Sequence, residues 1–166
     1  DNFDTNRIDE VIDSLLARQV DGIIWVAPEI GDNHSWVEER MDKISVPVLF
    51  LAMRPREGIS SVATDNYQGA VLAIQHLLEC GRKKIGHIAG PLTWWEADER
   101  KRGWRETLSA AGFNPLEEHC TEGNWSSASG EQAFIQLLES YPDMDAVFVA
   151  NDQMALGGLR EAIRRG

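Results

Sequence analysis

The sequence predicts an α/β fold in which parallel strands alternate with helices. Stretches of helical periodicity and short apolar runs follow one another along the chain, joined by short connections. The strand-like runs are continuously apolar, which is typical of strands buried on both faces of a parallel sheet. The 166 residues are 43% hydrophobic and 26% charged, a size and composition that suit one domain or two small lobes.

The elements of the first part can be assigned in order. A helix is predicted for "RIDEVIDSLLARQV", whose apolar positions share one face: Ile8, Val11, Ile12, Leu15 and Leu16. "DGIIWVAP" is predicted to be a strand buried on both faces, "SWVEERMDKI" a helix, and "VPVLFLAM" and "ISSVATD" two more strands. A long helix follows in "NYQGAVLAIQHLLECG", and Gly81 is placed to end it.

The same alternation continues to the last residue. "KKIGHIAG", "LEEHCTEG" and "DAVFVA" are predicted strands. The helices between and after them are "EADERKRGWRETLSAAG", closed by Gly112, the serine-capped "SSASGEQAFIQLLESY", and "NDQMALGGLREAIRRG".

Charge and composition exclude several classes of function. The net charge of −11 disfavours binding of DNA or RNA by this segment itself. No apolar run is long enough to cross a bilayer, and the acidic start is unlike a signal peptide. Cys80 and Cys120 lack metal spacing, and so do the scattered histidines His34, His76, His87 and His119. We therefore expect no metal and no cofactor.

Ligands of open parallel sheets bind beyond the carboxyl ends of the strands, and three such ends carry suitable residues. After "KKIGHIAG" come Trp94 and Arg100; Trp125 follows the next predicted strand, and Asn151 the last. Arg100 lies on the apolar stripe of its helix, formed by Ala97, Trp104, Leu108 and Ala111.

Each candidate has an alternative explanation. Arg100 either binds ligand oxygens or forms an internal salt bridge to Asp152 or Asp65. Trp125 is either a flat wall for a ring-shaped ligand or a buried loop anchor. Asn151 can face a ligand, and capping of the last helix is favoured for Asp152.

The motifs of common enzymes are missing from the sequence, which contains no G-x-S-x-G, no dinucleotide-binding glycine motif and no P-loop. A sugar-processing enzyme with Glu96 and Asp152 as a carboxylate pair is the alternative, but nothing selects these two among the 27 acidic residues. We expect no catalytic residues.

Several motifs together resemble the effector-binding core of the LacI/GalR family. They are "VATDNYQGAVLAIQHLLECGRKKIGHIAGP", "ERKRGWRETLSAAG", "EGNWSSASG" and "VFVANDQMALGGLREAIRRG". The resemblance implies two Rossmann-like lobes with parallel sheets, as in type I periplasmic binding proteins. It divides the chain into a partial first lobe, 1–64, and a partial second lobe, 65–166. The DNA-binding helix-turn-helix headpiece and the outer segments of the fold are expected to be absent from this chain.

The resemblance also implies a function and a site. A small effector, expected to be a saccharide, binds between the lobes and changes operator affinity in a cytoplasmic homodimer. The family's effector-contacting positions fall on Arg100, Trp125 and Asn151, and pocket-lining positions on Trp94 and Glu96. Asp152, beside Asn151, completes the candidate set. The alternative is a periplasmic sugar-binding protein of a transport system, which upstream sequence would distinguish by a signal peptide.

Overall fold

The computed structural model describes residues 8–166, and within this range the chain forms two compact units. The boundary between the units lies between Thr64 and Asp65. Each unit contains one three-stranded parallel sheet, in the order β1-β2-β3 in the first and β5-β4-β6 in the second, as defined below. The predicted α/β fold with parallel sheets is confirmed.

The first unit is built from short elements. They are α1 (Ile8–Ala17), β1 (Ile23–Val26), α2 (Trp36–Arg40), β2 (Val48–Leu51) and β3 (Ser61–Val62). A 3₁₀ turn over Met41–Lys43 extends α2. All these elements lie inside the predicted segments, although Arg7, the first residue of the first predicted helix, lies outside the described residues.

The core of the first unit occupies one face of β1 and β2. Phe50, Val37 and Met53 are completely buried there, and the Trp25 and Trp36 rings meet edge to face at 5.1 Å. On the opposite face of β1, Ile24 and Val26 are 67% and 72% exposed. The prediction of a strand buried on both faces is therefore wrong for β1, because no described element covers that face.

The first helix also departs from its predicted apolar face. Ile12 is 1% exposed, whereas Val11, one position earlier, is 45% exposed. Adjacent residues of a helix are separated by about 100°, so a stripe that includes both extends past the edge of the contact with the core.

The second unit repeats the strand–helix alternation with longer helices. Its elements are α3 (Asn66–Glu79), β4 (Ile85–Ala89), α4 (Trp95–Ala110), β5 (Cys120–Glu122), α5 (Ser127–Ser140), β6 (Ala146–Val149) and α6 (Asp152–Arg165). Gly81 and Gly112 follow α3 and α4 with φ of +79° and +84°, the left-handed conformation in which glycine commonly ends a helix. Both predicted glycine caps are confirmed.

The central strand β4 is buried on both faces, as its apolar sequence predicts. Ile85 packs in a cluster with Trp104 and Leu108 of α4, whereas Ile88 packs with Leu137 of α5. All five β4 residues are buried, because helices cover both sides of the sheet. The predicted stripe of α4 ends early: Ala97, Trp104 and Leu108 are buried, but Ala111 is exposed because it follows the last helical turn.

Candidate functional site

The carboxyl ends of the strands in the second unit bring three of the predicted site residues together. β4 ends at Ala89, and the chain then passes Trp94 to begin α4. The Trp94 and Trp125 rings meet edge to face, with centroids 5.5 Å apart and planes at 70°. The guanidinium of Arg100 lies over the Trp125 ring, 5.8 Å from its centroid. Trp94, Arg100 and Trp125 therefore form one cluster, which we call the Arg100 cluster.

Trp125 occupies its position through an unusual backbone conformation. Its φ of +73° lies in the left-handed region, which is costly for a residue with a side chain. Its ring lies against Gly90, where a Cβ atom would overlap the ring atoms Cη2, Cζ2 and Cζ3. Glycine is thus required at the end of β4 for the ring to lie where it does.

Both polar atoms of the Asn151 side chain form hydrogen bonds within the protein. Its Oδ1 accepts the Met154 amide at 2.9 Å, so it is the N-cap of α6. Its Nδ2 donates to the Trp125 carbonyl at 3.0 Å. The expectation that Asp152 caps this helix is wrong, because Asp152 is already the first helical residue and Asn151 is the extended residue before it.

Arg100 is half-buried and lacks an acidic partner among the described residues. The salt bridges to Asp152 or Asp65, the alternative to a ligand role, are not formed. Burial lowers the pKa of Arg100, and the negative charge of Glu96 opposes this effect. A guanidinium held in this way keeps its planar set of donors available for oxygen acceptors.

The remaining two candidates differ in their closeness to the cluster. Glu96 lies in the first turn of α4, is partly buried, and influences Arg100 through its charge without a hydrogen bond. Asp152 is exposed in the first turn of α6, where a negative charge suits the helix dipole. No contact of Asp152 with another described residue brings it into the Arg100 cluster.

The first unit contains a polar network that the sequence pattern did not reveal. Glu29, only 5% exposed, follows β1 and accepts from the Arg54 amide at 2.8 Å and from Arg56 Nη2 at 3.0 Å. Arg56 Nη1 also donates to the His34 carbonyl at 3.1 Å. The network joins the segments after β1 and β2. Its partners are 27 residues apart, so no local spacing points to the pair.

His34 belongs to the same buried region. Its Nδ1 lies 2.6 Å from Asn33 Oδ1, and because that oxygen also accepts the Ile30 amide, Nδ1 is the donor. Its Nε2 is buried without a partner in the described part of the chain. Burial is the main cause that lowers the pKa of His34, so the ring is held neutral.

No group of three or more His, Cys, Asp or Glu residues within residues 8–166 is arranged to hold a metal ion. None of the helices in this range has the length and apolar character needed to cross a membrane. Cys80 and Cys120 are both free thiols, and burial raises the pKa of Cys120 to about 11.

Comparison with known proteins finds one matching domain family and relatives that are named as repressors and regulators. The periplasmic binding protein domain family matches residues 1–165. The lactose operon repressor of Escherichia coli strain K12 is 34% identical over 155 residues, which cover 93% of this chain and 42% of the repressor. The chain spans about half the length of the curated relatives that it matches.

Solved structures agree with the sequence comparison. A complex of the transcriptional regulator CelR with cellobiose matches with a TM-score of 0.80 and 34% identity, covering 95% of this chain and 48% of that one. A lac repressor dimer bound to operator and the anti-inducer ONPF matches with a TM-score of 0.84 and 32% identity, covering 99% and 56%.

Proposed function

The chain belongs to the periplasmic binding protein domain family as an effector-binding core of the LacI/GalR type, and we propose that it binds a small saccharide. The observation that carries this proposal is Arg100, a half-buried guanidinium without an acidic partner among the described residues. Neighbouring hydroxyl groups of a sugar present pairs of oxygens that a planar guanidinium can bind. Trp94, whose ring meets the Trp125 ring over which the guanidinium lies, supplies a flat apolar surface in the same cluster.

Binding of the effector controls the affinity of the full-length protein for operator DNA. This part of the proposal rests on the repressor relatives, one of which is a dimer bound to operator. We accordingly propose a cytoplasmic homodimer that acts as a regulator rather than as an enzyme. The transport alternative is not favoured, because the relatives described above are named as repressors or regulators.

The test of sugar binding is calorimetry on the full-length protein. Cellobiose is the first probe, because a similar regulator was solved with it, and glucose, lactose and maltose complete a panel. Arg100→Ala should weaken the binding of the sugar that binds by about 100-fold, since it removes charge-assisted hydrogen bonds. Arg82→Ala is the matched control: Arg82 is also an arginine of the second unit, but it is exposed and its side chain forms no hydrogen bond or ion pair with a described residue.

The regulatory part needs a separate measurement. DNA duplexes selected from a random pool by the full-length protein serve as the operator probe, and fluorescence anisotropy reports their binding with and without sugar. Arg100→Ala should bind the duplex as the unmodified protein does but lose the response to sugar. If no sugar in the panel binds while a purine, a phosphate or an amino acid does, the saccharide proposal is wrong.

A further inference from the structure

At the end of α3, a histidine and a cysteine lie side by side on the protein surface. His76 and Cys80 are both exposed, and Cys80 Sγ lies 3.7 Å from His76 Nε2. Neither side chain forms another hydrogen bond or ion pair with a described residue. Residues four positions apart share one face of a helix, so the contact follows from their spacing.

The backbone fixes the two residues in a single helical turn. The Cys80 amide donates to the His76 carbonyl at 3.0 Å. The turn then closes at Gly81, whose φ is +79° and whose amide donates to the Leu78 carbonyl at 2.9 Å. A ligand that joins the two side chains therefore has no backbone to order, which lowers the entropic cost of binding.

The distance between the sulfur and the nitrogen matches that between two ligands of one tetrahedral zinc ion. Zinc binds thiolate sulfur at about 2.3 Å and imidazole nitrogen at about 2.0 to 2.1 Å. At the tetrahedral angle, these two bonds place the ligand atoms about 3.6 Å apart. The observed separation of Cys80 Sγ and His76 Nε2 is 3.7 Å. Two zinc ligands four residues apart on one helical face are also an arrangement that metalloproteins use.

The charges around the pair act in both directions. The C-terminal end of a helix carries about half a negative charge, which favours a cation there. The exposed carboxylate of Glu79 adds to this effect, whereas Arg82 and Lys83, which follow Gly81, oppose it. All three side chains are exposed, so salt screens their charges. The fixed sulfur–nitrogen geometry is therefore the main determinant of binding.

The second cysteine differs from Cys80 in each of these respects. Cys120 is partly buried, and burial raises its pKa to about 11. Its thiol donates to the Thr121 carbonyl at 3.9 Å, and within residues 8–166 it forms no hydrogen bond to a histidine. A metal ion must displace the thiol proton, which a raised pKa makes harder. Cys120 thus provides a control within the same chain.

From this geometry we infer that His76 and Cys80 bind a divalent transition-metal ion of the zinc class, with water in its remaining positions. The Cys80 thiol releases its proton to the solvent, and the metal forms bonds to Sγ and to Nε2 of the neutral imidazole. Two protein ligands make an open, reversible site, because closed structural zinc sites have four. The inference departs from the expectation that the chain binds no metal.

This site is separate from the proposed effector site. α3 ends shortly before the amino end of β4, whereas the Arg100 cluster lies at the carboxyl ends of the strands. The inference therefore goes beyond the proposed function and does not rest on it.

A titration of the full-length protein with Co²⁺ tests the site, with a phosphine reductant to keep the thiols reduced. A cobalt–thiolate bond gives a charge-transfer absorption in the near ultraviolet, and Zn²⁺ should displace it. Cys80→Ser should lose this absorption, and His76→Ala should weaken Co²⁺ and Zn²⁺ binding at least about 10-fold. Cys120→Ala and Arg82→Ala should change the affinity less than about 2-fold.

The outcomes that overturn the inference are specific. Any cysteine elsewhere in the full-length protein contributes equally to all variants, so only the differences between variants matter. An absorption in Cys80→Ser as strong as in the unmodified protein would overturn the inference. Unchanged affinity in His76→Ala, or no absorption at millimolar Co²⁺, would do the same.

Thermal unfolding with and without Zn²⁺ gives a second readout. The unfolded chain no longer holds His76 and Cys80 in one turn, so zinc should raise the Tm of the unmodified protein increasingly with its concentration. Cys80→Ser and His76→Ala should lose this increase. An equal shift of Tm in all three proteins would assign the effect to another site and overturn the inference.

The zinc site and the sugar site can fail separately. Cys80→Ser should bind sugar as the unmodified protein does, and Arg100→Ala should bind Zn²⁺ as the unmodified protein does. If no sugar in the panel binds, the proposed function fails and the cobalt titration still decides the metal site. If the titration fails while a sugar binds, only the metal inference is overturned.

Discussion

Acidification should destabilise the second unit through His87, a buried histidine that is held neutral. The ring of His87 is completely buried on β4 and stacks between Trp104 and Phe148, with centroids 5.6 and 4.9 Å away. Its Nδ1 donates to the Phe148 carbonyl at 2.9 Å, and its Nε2 is buried without a partner in the described part of the chain. Protonation would thus place a charge where nothing described accepts the added N–H.

The expected size of the effect follows from the pKa. Burial lowers the pKa of His87 to about 4, with smaller contributions from the charges of Lys101 and Arg100, while the bond to Phe148 opposes the shift. The unfolded chain binds the proton near pH 6.5, so stability is complete above this pH and falls as the pH drops toward 4. At about 1.4 kcal/mol per pH unit, the free energy of unfolding should fall by about 2 kcal/mol between pH 7.5 and pH 5.

Urea unfolding at both pH values, compared with His87→Gln, isolates this contribution. Glutamine does not titrate and retains an amide that can donate to the Phe148 carbonyl. The pH dependence of the variant should therefore be smaller than that of the unmodified protein by about 2 kcal/mol. Burial also lowers the pKa of His34, but that contribution cancels in the difference. Equal pH dependence in the two proteins, or an imidazole pKa above 6 by NMR, would refute the reasoning.

Two further predictions concern glycine and capping positions, both measured by urea unfolding. Gly103→Ala should destabilise the protein by about 1 to 3 kcal/mol, because its Cβ would lie 2.7 Å from the Tyr67 carbonyl oxygen between α4 and α3. Gly69→Ala, on an open face of α3, should instead stabilise it by about 0.5 to 1 kcal/mol, and a loss there would contradict the packing argument. Asn151→Ala should cost about 1 to 2 kcal/mol and Asp152→Ala a few tenths, and the reverse order would contradict the assigned cap.

The order of helices and strands was predictable because it depends on local periodicity. Each described α-helix and strand lies within, or begins one residue outside, the segment predicted for it. The strand prediction for "LEEHCTEG" is wrong in its first half, where Glu117–His119 form a 3₁₀ helix and only Cys120–Glu122 are a strand. Burial was less predictable because it depends on what covers a face. The apolar run of β4 is buried by helices on both sides, whereas the similar run of β1 leaves Ile24 and Val26 exposed.

For the site residues, too, local features could be predicted from the sequence, whereas contacts between distant parts of the chain could not. Their residue types at strand ends were visible in the sequence, and parallel pairing brings those ends to one edge of the sheet. The sequence did not show which of these polar groups already form hydrogen bonds within the protein. Asn151 and Asp152 are adjacent and both can cap a helix, and only the backbone conformation assigns the cap to Asn151. The Glu29–Arg56 pair, 27 residues apart, had no sequence pattern at all.

The surroundings of Arg100 include residues that carry no charge, which the sequence alone did not indicate. A sequence shows an arginine beside several acids, and an internal salt bridge is then as good an explanation as a ligand. Among the described residues Arg100 forms no such salt bridge, and an aromatic ring lies beside its guanidinium instead. That ring needs the missing side chain of Gly90 and the amide of Asn151, which come from two different strand ends. A change at Gly90 or Asn151 should thus alter the surroundings of Arg100 and, through them, the affinity for the effector.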